Sequence, residues 1–262
     1  MLGAFITCGD GCQLHYRLDG PKDAPVLMLS NSLGTNMAMW EPQLARFQQD
    51  FRVLRYDQRG HGLSDSPQGA YSLDRLGRDV VELLDALELE QVAFCGLSLG
   101  GMTGQWLGIR APERLHHLVL ANTSAFMGPP SAWDARIELV RREGLASLAQ
   151  ASSERWFTPR FRDAEPRQIA RFQAQLAGGN PAGYAGCCAA IRDMDMRPSL
   201  GLIQPDCLII GGEHDPATPR EHSEALHQAI PGAALTMLPA AHLSNVELPA
   251  PFADAVLQFL LS

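Results

Sequence analysis

No window of this 262-residue sequence approaches the roughly 18 uninterrupted apolar residues that a membrane span needs. Positive charge is also in short supply: 21 Lys and Arg stand against 29 Asp and Glu, a formal net charge of −8. That balance argues against nucleic acid as a partner and against docking on an anionic membrane surface. The six cysteines (Cys8, Cys12, Cys95, Cys187, Cys188 and Cys207) lie mostly in apolar runs and lack metal-ligand spacing. Reduced, buried thiols in a cytoplasmic protein are the simplest reading of them. The adjacent Cys187 and Cys188 read as packing rather than redox chemistry. The first residues, Met1-Leu2-Gly3-Ala4-Phe5-Ile6-Thr7, have no basic region and meet Asp10 too soon for a secretory signal peptide. Internal repeats and low-complexity segments are absent too. What remains, 46% hydrophobic and 19% charged, suits a soluble enzyme with a substantial core and excludes a disordered chain.

Apolar runs and helical stripes alternate along most of the chain. Two short strands flank the Gly9-Asp10-Gly11 turn, a continuous apolar run follows at Val26–Leu29, and further strand candidates lie at Val53–Tyr56, Val92–Cys95, Leu118–Ala121, Cys207–Ile210 and Ala234–Leu238. Such runs suit strands buried on both faces. Between them lie helical patterns. In one, Ser72 is a candidate N-cap and Leu73, Leu76, Val80, Leu83, Leu84 and Leu87 form one stripe with acids opposite. Strands alternating with helices across short loops predict a mostly parallel twisted sheet flanked by helices. From 126 to 200 no convincing strand occurs. The expected organisation is a core of 1–125 and 201–262 with a helical cap, 126–200, inserted before the last strands. Residues 130–200 carry ten Arg against eight Asp and Glu, while the remainder is strongly acidic. A relatively basic lid over an acidic body suits an anionic substrate; the alternative is a solvated helix surface.

The chemistry concentrates at Gly96-Leu97-Ser98-Leu99-Gly100-Gly101. Gly-x-Ser-x-Gly between a strand and a helix is the pattern of a nucleophile elbow, a turn too sharp for side chains beside the serine. The alternative is a tight turn whose serine merely caps the helix. A serine nucleophile needs a base, and the base needs a carboxylate to orient it. Asp215 lies just beyond one late strand and His242 just beyond the last. The order Ser98, Asp215, His242 is that of the α/β-hydrolase arrangement. Glu213 competes for the acid role and His214 for the base, but His214 adjoins Asp215 and both cannot easily turn toward one serine. His61, in a Gly-flanked turn, reads as a residue that holds its loop by hydrogen bonding. His15, His116, His117, His222 and His227 read as structural or solvated. The oxyanion hole is expected from the N–H groups of Leu99 and of Leu33, in the loop after the third strand.

With these residues placed, the whole chain resembles the α/β-hydrolase superfamily and, within it, the 3-oxoadipate enol-lactonases of aromatic catabolism. Ser30–Thr35, Tyr56–Gly62 and Gly96–Gly101 carry the resemblance, and the run Gly183–Asp193 is the most discriminating. Many superfamily members begin the oxyanion loop with His-Gly; Asn31-Ser32 stands here, as in the enol-lactonases. The resemblance implies a serine hydrolase that opens a small anionic enol-lactone through an acyl-enzyme, without metal or organic cofactor. It also implies a cation for the substrate carboxylate: Arg192 in the discriminating run first, then Arg136 beside Trp133. Other activities on the same machinery remain open, among them a carboxylesterase, a carbon–carbon bond hydrolase, a perhydrolase and a receptor-like binder of small lactones. Homo-oligomerisation is equally open. An aspartate-nucleophile dehalogenase is excluded, because position 98 is serine.

Overall fold

The chain winds a single eight-stranded sheet, and a computed structural model describes it over residues 3–262. Met1 and Leu2 of the N-terminal stretch lie outside the described residues. In chain order the elements are β1 (Ala4–Thr7), β2 (Gln13–Asp19), β3 (Val26–Ser30), α1 (Glu41–Phe47), β4 (Arg52–Tyr56) and α2 (Leu73–Ala86). Then come β5 (Val92–Leu97), α3 (Leu99–Arg110) and β6 (Leu115–Ala121). Five helices follow without a strand: α4 (Pro130–Glu143), α5 (Ala149–Trp156), α6 (Pro159–Ala164), α7 (Pro166–Ala177) and α8 (Pro181–Asp193). The sheet resumes with β7 (Asp206–Gly212), α9 (Arg220–Ala229) and β8 (Ala234–Leu238), and α10 (Ser244–Glu247) and α11 (Pro249–Leu260) complete the fold. No helix among the described residues is long and apolar enough to cross a membrane.

The strand order is β1-β2-β4-β3-β5-β6-β7-β8, antiparallel at β1–β2 and β2–β4 and parallel elsewhere. The predicted mostly parallel α/β sheet is therefore present. Its order reverses between β3 and β5, so the loops leaving these neighbours diverge to opposite faces and open a crevice at their carboxyl ends. β5, the strand before Ser98, is buried at every residue, as its unbroken apolar sequence requires.

Helix α2 starts as expected, with the Ser72 side chain accepting from the Arg75 N–H. Its acids do not all face solvent, however. Asp79 is 2% exposed and forms a forked ion pair with the equally buried Arg59, which also reaches Asp10. A charge on the apolar side of α2 is tolerated because this bidentate partner comes to meet it. The pair pins the 57–62 loop against α2. Helix α8 packs on the same loop: a Cβ added at Gly60 would lie 2.7 Å from the backbone of Gly183, and one at Gly183 would lie 2.3 Å from that of Gly60. The small residues of the Gly183–Ile191 run are thus what lets α8 sit directly on the strand-end loops.

Candidate active site

Ser98 occupies the turn between β5 and α3 with φ 58 and ψ −114. A non-glycine residue held there carries about 1–3 kcal/mol of strain, so its neighbours must fix it. They do: the Ser98 N–H donates to Ala121 O at 2.9 Å, and the Thr123 hydroxyl donates to Ser98 O at 2.7 Å. A Cβ at Gly96 would lie 2.2 Å from Gly100 O, and one at Gly100 would lie 2.2 Å from Ser30 O. Only glycine fits on either side of this serine. The Ser98 side chain makes no capping hydrogen bond to α3, so the reading of the serine as a helix cap fails.

Asp215 and His242 meet as the strand ends suggested. The His242 Nδ1 lies 2.8 Å from Asp215 Oδ2, and both residues are 4% exposed. The same oxygen accepts from Thr218 Oγ1 at 2.7 Å and Asn122 Nδ2 at 3.0 Å, while Oδ1 accepts from the Ala217 and Thr218 N–H groups at 2.8 and 3.0 Å. Burial pushes this carboxyl upward, but His242 and the surrounding donors outweigh it and hold it below the usual carboxylate range. An ionised Asp215 fixes the proton of His242 on Nδ1 and leaves Nε2 as the basic nitrogen. Glu213 and His214, the competitors from the sequence, are both exposed.

Ser98 and His242 share one cavity of about 240 Å³ with Ser32, Leu33 and Met102 on the core side. Trp133, Arg136, Ser152, Arg155, Trp156 and Tyr184 of the helical insert form its other wall. A larger cavity, about 340 Å³, lies beyond Tyr184 and His61 and contains neither Ser98 nor His242. Leu33 and Leu99 adjoin the serine, and among the described residues neither of their N–H groups donates to a protein acceptor. Asn31 anchors this loop. Its amide donates to Tyr56 O at 2.7 Å and accepts from Trp40 Nε1 at 2.9 Å, while Asn31 O accepts from the Gly100 N–H at 3.0 Å. The loop before Leu33 is therefore tied directly to the elbow helix.

His61 secures the other end of that loop. Its Nε2 accepts from the Gly34 N–H at 2.9 Å, which requires the neutral ring. Burial pushes the His61 pKa down from 6.5, against smaller opposing contributions from Arg59 O and Asp57. A histidine whose folded pKa is depressed contributes no pH dependence while it is neutral in both states. As pH falls through 6.5 the unfolded chain takes up the proton first, and stability is lost. The unfolding midpoint is therefore expected to fall between about pH 7 and 5, and to fall less steeply in His61→Gln, as a thermal melt series will show.

Of the two arginines expected to meet an anionic ligand, the structure places Arg136 at the cavity and Arg192 away from it. Arg192 does not line the cavity: its guanidinium is tied at the surface to Asp134 at 2.8 Å and Asp193 at 2.7 Å. Arg136 does line it, lying over the Trp133 ring at 5.0 Å, and so does Arg155, which the sequence did not single out. Among the described residues Arg155 donates only to Ser152 Oγ, at 3.2 Å. Neither arginine forms an ion pair with a carboxylate of the described residues. After burial, the Arg136 charge is the next cause lowering the Arg155 pKa from its ordinary value. Two like charges thus face one small cavity, and among the described residues no carboxylate lies within ion-pair distance of either.

Asn122 carries no local sequence signal for its place in the site. It is fully buried at the end of β6 with φ 43, a conformation asparagine tolerates better than most residues. Its amide donates to Asp215 and to Ala241 O at 3.2 Å and accepts from Ser244 Oγ at 2.5 Å, bracketing His242 on both sides.

The chain is similar to known proteins over almost its whole length. A family model described as the alpha/beta hydrolase fold matches residues 25–249. The chain is 46% identical to 3-oxoadipate enol-lactonase 2 of Acinetobacter baylyi over 93% of its own length and 91% of the relative. It is 39% identical to 3-oxoadipate enol-lactonase 1 of the same organism, over 98% of this chain and 97% of that one. The crystal structure of the enol-lactonase from Burkholderia xenovorans superposes with a TM-score of 0.97 at 41% identity, covering 99% of this chain and all of that one, 100%.

Proposed function

The chain belongs to the alpha/beta hydrolase family, and on that premise we propose that it opens 3-oxoadipate enol-lactone to 3-oxoadipate by serine catalysis. One observation carries the reading beyond the family. A cavity shared by Ser98 and the Asp215–His242 pair presents two arginines that form no ion pair with a carboxylate of the described residues, as a small lactone bearing a carboxylate requires.

The residues take these roles. His242 Nε2 removes the Ser98 proton as Oγ forms a bond to the lactone carbonyl carbon. The carbonyl oxygen becomes an oxyanion that the Leu33 and Leu99 N–H groups receive, at the positive end of α3. Collapse breaks the ring C–O bond and expels an enolate, which accepts the proton from His242 and becomes the ketone. Water then gives a proton to His242 and attacks the acyl-enzyme, and Ser98 leaves with that proton restored. Asp215 stays ionised throughout and stabilises the imidazolium. Arg136 and Arg155 hold the free carboxylate, with Trp133 supporting Arg136. No step calls for a metal or organic cofactor. The six buried cysteines, all free, favour a cytoplasmic setting for this activity.

The test is turnover of the enol-lactone, followed by loss of ultraviolet absorbance, beside p-nitrophenyl acetate. A lactone kcat/KM of about 10⁴–10⁸ M⁻¹s⁻¹, well above that for the ester, is expected. Ester cleavage without lactone turnover would keep the machinery and discard the substrate. Failure on both, with no labelling by a serine-reactive phosphonate, would discard the nucleophile.

A further inference from the structure

The loop that carries His242 is held from outside the cavity by one carboxylate. Glu247, at the end of α10, accepts from the Ala241 N–H at 3.1 Å and from the Thr158 N–H at 3.3 Å, both through Oε2. Its Oε1 accepts from the Thr158 hydroxyl. That hydroxyl in turn accepts from the Phe161 N–H at 3.3 Å and so fixes the start of α6. Beside this clasp the Leu243 N–H donates to Trp156 O at 2.9 Å. Residues 156–158 continue directly from α5, which brings Ser152, Arg155 and Trp156 to the cavity wall. Glu247 itself does not line that cavity. It lies with Thr158 and His214 along a separate groove that shares no lining residue with that cavity, so it does not touch a substrate at Ser98.

The two segments joined here come from distant parts of the chain, the insert between β6 and β7 and the turn after β8. One carries a guanidinium that faces the substrate, the other the base. We propose that Glu247 is a positioning residue that sets the distance between the carboxylate-binding wall at Arg155 and the base at His242. The proposal rests on the role given to Arg155 above. A lactone pinned by its carboxylate delivers its ring carbonyl to Ser98 only if wall and base keep their spacing, and misplacement by about 1 Å costs on the order of 10²-fold. A neutral ester that ignores the arginine wall does not feel that spacing. Any tie that merely stabilised the His242 loop would serve both substrates alike.

Glu247→Gln keeps the size but removes the charge, so the Thr158 and Ala241 N–H groups lose a charge-assisted acceptor and the Thr158 hydroxyl must turn from donor to acceptor. Its kcat/KM should be measured on the enol-lactone and on p-nitrophenyl acetate, beside wild type, Arg155→Ala and the double variant. The expected result is a lactone-to-ester ratio about tenfold lower in Glu247→Gln. In the double variant the ratio should stay within about twofold of that in Arg155→Ala, since residues acting through one another are not additive. Equal losses on both substrates, or ratio losses that multiply in the double variant, would overturn the proposal. Should Glu247→Gln fail to fold, Thr158→Val removes only the hydroxyl donor and is held to the same criteria. A wild-type enzyme inert on the lactone sinks both the substrate reading and the clasp. An active wild type with an unchanged ratio in the variant sinks the clasp alone.

Discussion

Ser98→Ala is expected to lower lactone turnover by about 10⁶-fold while leaving the unfolding midpoint close to that of wild type. The first half follows from the role of Oγ as the atom that bonds to the substrate. Only the oxyanion donors and the arginine wall would remain, and such residual machinery retains on the order of 10³–10⁴ over water in comparable enzymes. The second half follows from the geometry. The contacts that hold the elbow are made by the backbone of Ser98, to Ala121 and from Thr123, and alanine keeps them. Alanine also keeps the φ of 58 and its strain, so no stability is gained. Ser98→Gly is the informative companion, because glycine adopts positive φ without cost. Its midpoint should exceed that of Ser98→Ala, with activity equally lost. Thermal melts beside single-turnover kinetics would separate the two effects. A Ser98→Ala enzyme retaining more than about one percent of turnover would remove the nucleophile from the scheme.

The parts of this site that could be read from the sequence are those encoded by short-range sterics. A glycine on each side of a serine between an apolar run and a helix leaves one geometry open, and the clashes at Gly96 and Gly100 are that geometry seen in space. Asp215 and His242 were legible for a related reason. In a parallel sheet the loops beyond the strand ends converge on one edge, so residues 27 positions apart can be placed together without knowing any packing. The arginines were not legible in this way. Which side of α8 faces the cavity depends on how α8 lies against α4 and the 57–62 loop. The small residues of α8 are spent on that contact, and its last turn swings Arg192 out to Asp134. Arg155 was hidden for the converse reason: nothing local marks the face of α5 that turns inward. Asn122 resembled any polar residue ending an apolar strand. Asp79 ran against the expected polarity of α2 because its partner, Arg59, lies in a different loop. Residues whose meaning lies in a distant partner carry no periodicity of their own.

Removing the arginine wall is expected to separate charged from neutral substrates. Arg136→Ala and Arg155→Ala should each lower kcat/KM for the enol-lactone by about 10–10²-fold, the value of a charge-assisted hydrogen bond. The double variant should lose about 10²–10⁴-fold, because a buried carboxylate with no cation left bears its full desolvation cost. The loss should appear mainly in KM, since the carboxylate stays remote from the bonds that change and is held alike in ground and transition states. Turnover of p-nitrophenyl acetate should stay within about threefold, or rise as two facing positive charges are relieved of their repulsion. Arg136→Lys is not expected to restore the lactone activity, for a lysine lacks the planar fork and the stacking surface that Trp133 supports. Arg192→Ala is the control. Its guanidinium already spends its hydrogen bonds on Asp134 and Asp193, at a surface where ion pairs contribute about 0–1 kcal/mol. It should leave both substrates unchanged. A selective loss of lactone activity in Arg192→Ala, with the cavity variants unaffected, would place the carboxylate outside the cavity and require a bound pose in which the ring reaches Ser98 from that side.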